Sequence, residues 1–94
     1  MIPVDDILEA TKRFERISKG IEGDPAIALA FKMLRKASIR EYEVLLRALL
    51  GESLDQIAAW LNARSIRGGH PERYSLEDAT TIWVAAIDKV TAWS

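Results

Sequence analysis

The side chains that could do chemistry concentrate between Arg64 and Thr81. His70 is the sole histidine, and Glu72, Ser75 and Asp78 follow it closely, so a serine, histidine and acid set can be written along the chain. Such a set works only when its members are held rigidly beside an oxyanion site. His70 instead falls between Gly69 and Pro71 in a stretch of loop composition, where an imidazole is far more often solvated than catalytic. The neighbouring carboxylates Asp5 with Asp6 and Glu77 with Asp78 would diverge by about 100° on a helix, which removes them as an acid and base couple. The absence of cysteine removes thiolate nucleophiles and sulfur-built zinc sites. Gly68 and Gly69 read as turn residues and not as a phosphate-cradling loop. Catalysis, a metal centre and a cofactor are therefore not expected. What remains is charge: Arg64, Arg67 and Arg73, joined by His70 at low pH, surround the glycines and suit phosphate oxygens, with Thr80 and Thr81 further on as neutral donors.

Two helices must position these groups. Ser53 stands where a helix N-cap belongs and Gln56 is spaced to complete a capping box, so a helix starts near Leu54. Leu54, Ile57, Ala58 and Leu61 recur at helical spacing and give it one apolar stripe. Ser65 to Tyr74 breaks that pattern with Gly68, Gly69 and Pro71. Ser75 with Asp78 repeats the cap and opens a last helix over about 76–92. Helix, polar turn and second helix describe a helix-turn-helix-like unit.

Ile57, Ala58, Leu61, Asn62, Arg64 and Ile66, followed by Tyr74, Ser75, Ala79 and Ile82, resemble the DNA-binding segment that lies C-terminal to the catalytic domain of serine recombinases. In that family a helix of the type I-A-x-x-L-N-x-R-G-I precedes a Gly/Pro loop, then W-S and a short basic recognition helix. The likeness covers residues 51–83 and implies a small DNA-binding protein, a regulator or mobile-element accessory factor acting as a dimer. Two features depart from the pattern. Ser65 stands where the family has glycine, and Leu76, Glu77, Asp78, Thr80 and Thr81 occupy the ground of the basic helix. Carboxylates there would meet phosphates with like charge, against the interaction that dominates nucleic-acid affinity.

Length and composition bound the whole. Ninety-four residues, 49% of them apolar and 29% charged, make one ordinary globular domain. The net charge of −1 argues against a surface that is polyanion-binding all over. Fully apolar runs such as Ile82 to Ile87 are far short of the ~20 residues that cross a bilayer. Met1 to Asp6 is acidic and unlike a secretory leader, so cytoplasm is the default location, with no membrane partner and no small-molecule substrate indicated.

Earlier in the chain, Pro3, Asp5 and Asp6 start a first helix over about 5–19, whose later turns carry Lys12, Arg13, Arg16 and Lys19. Positive charge near a helix C-terminus is what the helix dipole alone would favour, and phosphate contact is the competing reading. Asp24 and Pro25 cap a second helix over about 25–37, apolar on nearly every side through Ala26 to Phe31 and therefore expected inside, with Met33 and Leu34 also available to the core. Ser38 with Glu41 forms another capping box for a third helix over 39–50, striped by Tyr42, Leu45, Leu46 and Leu49 and ended by Gly51 at a left-handed position. The sum is an all-α, compact bundle of about five helices.

The last helix carries apolar surface over much of its circumference. Trp83, Ile87, Val90 and Trp93 form a candidate interface for a second copy or another protein, because tryptophan is enriched at such contacts. The competing reading is a central core helix wrapped by the other four. Two functions follow: a DNA-binding protein, or a helical interaction module, an adaptor or inhibitor of a larger complex, that touches no nucleic acid.

Overall fold

A computed structural model describes residues 2–67 and 73–94. Five helices account for most of them: α1 (Val4–Gly20), α2 (Pro25–Ala37), α3 (Ile39–Leu49), α4 (Leu54–Arg67) and α5 (Leu76–Trp93), with no strand among the described residues. Gly68, Gly69, His70, Pro71 and Glu72, the middle of the expected basic loop, lie outside the described residues.

Local chemistry sets the helix ends. The Asp24 carboxylate accepts from the Ala26 N–H at 3.0 Å, and Pro25 fills the first helical position of α2, where its missing N–H costs nothing. At α4, Ser53 Oγ accepts from Gln56 N–H and Gln56 Oε1 accepts from Ser53 N–H. Ser75 and Asp78 make the same reciprocal pair at α5. Each box satisfies two backbone donors that the first helical turn would leave open. The third box is only half made. Ser38 Oγ accepts from Glu41 N–H, but the Glu41 carboxylate turns away to pair with Lys89 of α5, because a cation across the core outcompetes a local amide. Gly51 adopts φ 95°. Its N–H donates to Ala48 C=O and Glu52 N–H donates to Arg47 C=O, the paired bonds of a Schellman cap at the end of α3.

One boundary departs from expectation. The helical pattern was expected to break at Ser65, yet α4 continues to Arg67, since nothing between Ser65 and Arg67 forbids a helix and the glycines come only afterwards.

The core is built around α5, which packs against each of the other four helices. Ala79, Trp83, Ala86, Ile87 and Val90 of α5 are buried together with Ala10 and Ile17 of α1, Ile27, Ala30 and Leu34 of α2, Val44 and Leu45 of α3, and Ile57, Ala58 and Leu61 of α4. Phe14 of α1 meets the Trp83 indole with ring centroids 5.6 Å apart. This central placement answers the breadth of the apolar surface on α5, for a helix surrounded on several sides has no single greasy stripe. The Cα radius of gyration, 13.2 Å, matches the ~13 Å of a compact chain of about 100 residues.

The second helix is less enclosed than its composition suggests. Ile27, Ala30 and Leu34 enter the core, and the Phe31 ring lies 4.6 Å from Tyr42, with Arg35 over the same Tyr42 ring, which fixes the flank of α2 that faces α3. The remaining face carries Leu29, 59% exposed, and Met33, 43% exposed, with Ala26 and Ala37 also open. Met33 is thus no core residue. The cause is α1, which approaches α2 sparingly; where they join, Gly20 lies so near Ile27 that a Cβ there would collide with it.

Candidate functional site

The expected nucleic-acid contacts begin at the exit of α4. Asn62 on α4 donates from Nδ2 to Tyr74 C=O at 2.9 Å and accepts at Oδ1 from Tyr74 N–H at 2.6 Å. One amide side chain therefore fixes the backbone just before the α5 cap. Beside it, Arg73, Tyr74, Asp78, Thr81 and Ile82 line an open groove, and the Arg40 guanidinium sits 5.3 Å from the Tyr74 ring centre.

The structure separates the expected DNA-binding residues. Arg73 and Thr81 are exposed and share the groove. Thr80 is 8% exposed, and its hydroxyl donates to Leu76 C=O. It is spent on its own helix and offers nothing to a base edge. The Thr81 hydroxyl likewise donates to Glu77 C=O at 2.9 Å. Arg64 pairs with Glu43 of α3 and lies 5.5 Å from the Trp60 ring centre; a phosphate would have to displace the carboxylate. Arg67 is the last residue of α4, and His70 lies outside the described residues. Of the exposed residues in α5's first turns, Leu76, Glu77, Asp78 and Thr81, the charged ones are both acidic, and Asp88 further along is exposed too. A helix buried on several sides and acidic where it is open is poorly shaped for major-groove insertion.

The expected protein interface on α5 is likewise taken apart by burial. Trp83 is 7% exposed, and Ile87 and Val90 are fully buried, because they are the central helix's contribution to the core. Of the four residues, Trp93 alone is open, at 39%.

A different surface stands out. Lys12, Arg16 and Lys19 lie at i, i+4 and i+7 on α1 and are exposed, as are Lys32 and Lys36 on α2. None of the five forms an ion pair among the described residues. The cations of the other helices contrast with this. Arg47 pairs with Glu52 at 3.0 Å and stacks 3.9 Å from the Trp60 ring centre, Arg64 pairs with Glu43, and Lys89 pairs with Glu41. Arg13 of α1 reaches Asp88 of α5 at 3.0 Å. The α1 cations Lys12, Arg16 and Lys19 edge a shallow cleft together with Glu15, Asp24 and Ile27, whereas Lys32 and Lys36 stand on the outward side of α2, turned away from Ile27. The exposed Leu29 and Met33 adjoin Lys32 and Lys36 on one face of α2. Sequence reasoning noticed the cations of α1 but missed the apolar stripe on α2. The signal was the spacing Ala26, Leu29, Met33, Ala37, which runs apart from the buried Ile27, Ala30, Leu34.

Among the described residues no group of three or more acidic, histidine or cysteine side chains converges as a metal site, and no helix is long and apolar enough to cross a membrane. No protein-family model, no curated protein and no solved structure matches this chain.

Proposed function

We propose that the chain is a helical protein-interaction module that works through the outer face of α2. One observation carries this reading: Leu29 and Met33, both large and apolar, stand open on a helix whose exposed neighbours Lys32 and Lys36 have no ion-pair partner among the described residues. Exposed apolar side chains rimmed by polar ones are the usual anatomy of a contact surface. The test is capture from nuclease-treated lysate of the native host with the chain immobilised, run beside a Met33→Asp variant. A defined protein retained by the parent chain and lost from the variant supports the reading. Retention that vanishes with nuclease treatment defeats it.

A second reading, DNA binding at the start of α5, keeps one observation in its favour. Arg73 and Thr81 are exposed together in one open groove beside Tyr74. In this reading Arg73 and Arg67 hold phosphates. A titration with random duplex DNA at low salt separates it from the first: binding with a clear salt slope that Arg73→Ala reduces would favour it, and no binding ends it.

A further inference from the structure

The contact face of α2 has a composition that selects its partner. Its open stripe, Ala26 to Ala37, follows the i, i+3, i+7, i+11 spacing, a seam about 17 Å and three turns long. That geometry receives another helix, which presents apolar side chains at the same repeat. An extended strand or a flat sheet would not follow it. Charge sets the second requirement. Lys32 and Lys36 border Leu29 and Met33 along one side of the α2 seam, and neither is ion-paired among the described residues. No acidic residue occurs between Pro25 and Arg40 to neutralise them from their own helix. A phosphate backbone would satisfy the lysines but would leave Leu29 and Met33 facing charged oxygens.

We infer that this face binds an acidic amphipathic helix of a partner protein, with its apolar stripe laid on Leu29 and Met33 and its carboxylates paired with Lys32 and Lys36. The inference rests on the interaction-module reading above and names its partner. Unpaired lysines along one edge of an apolar seam steer an oppositely charged helix and fix its register, while the methionine adapts to its side chains.

The probe is a synthetic peptide of about 14 residues, four helical turns, with leucine at the seam positions and glutamate on both flanks. Two controls accompany it, the same peptide with every glutamate replaced by lysine and a scramble of the acidic sequence. Fluorescence anisotropy with the full chain should show binding of the acidic peptide alone, weakening as salt rises. Met33→Asp should weaken it about tenfold or more. The double variant Lys32→Glu with Lys36→Glu should lose the acidic peptide and gain the lysine one, a reversal that general unfolding cannot produce. Circular dichroism should be unchanged in both variants, because the three positions are exposed. Equal binding of all three peptides, or binding indifferent to these variants, overturns the inference. So does duplex DNA that binds in place of the peptide and ignores Met33→Asp. If the acidic peptide fails while nuclease-resistant capture still depends on Met33, the partner is not an acidic helix and the interaction module survives.

Discussion

Asn62 shows how much one side chain can fix. Its amide bridges both backbone groups of Tyr74, so the chain re-enters the fold at one place and Ser75 is delivered to its cap. Asn62→Ala should lower stability by about 1–3 kcal/mol, read as a shift of the urea midpoint, since two partly buried backbone groups lose their partner. Asn62→Asp should recover only part of this, because a carboxylate still accepts from Tyr74 N–H but no longer donates to Tyr74 C=O. The tryptophans make a second residue-scale contrast. Trp83→Ala should cost about 3–5 kcal/mol by emptying the centre of the core, whereas Trp93→Ala, at a side chain 39% exposed, should cost clearly less. Equal losses at the two sites would contradict the burial of α5. The capping residues Ser53, Ser75 and Asp24 were legible in sequence because a cap is a matter of three or four consecutive residues. The bridge from Asn62 to Tyr74 was not, for it joins positions twelve apart and depends on where the chain returns after leaving α4.

At the scale of the element, the two glycines around α2 and α3 separate conformational need from mere turn composition. Gly51 holds φ 95°, so Gly51→Ala should destabilise by about 1 kcal/mol or more through backbone strain. Gly23 has no positive φ, and a methyl group there would meet nothing within 4 Å. Gly23→Ala should therefore raise stability by about 0.4–1 kcal/mol, by restricting the unfolded chain. Thermal melts of the two variants should move in opposite directions. Helix number and most boundaries, the end of α4 excepted, were readable from periodicity and punctuation. The environment of each helix was less so. Ala26 to Phe31 reads as apolar all round, and only the sparing approach of α1 leaves Leu29 outside. The broad apolar surface of α5 supported either a partner site or a central helix, and the choice required knowing that four helices surround it.

For the molecule as a whole, the shared helix predicts cooperativity. Every other helix packs against α5, so displacing α5 removes the centre of the core and leaves only direct contacts such as that of Phe31 with Tyr42 between α2 and α3. Urea unfolding followed by far-ultraviolet circular dichroism and by tryptophan fluorescence should give coincident transitions. Leu61→Ala, which empties a buried site on α4, should shift both together by about 2–5 kcal/mol. Separate transitions would mean that part of the bundle is stable alone. The order of this architecture along the chain also governs its birth. Ribosomes add roughly 5–20 residues per second, so α1 to α4 emerge and wait on the order of seconds, amphipathic and unshielded, until the eighteen residues of α5 arrive to give them a common centre. A nascent chain halted at Ser75 should be cut readily by protease, and release of α5 from the exit tunnel should bring protection to all five helices at once.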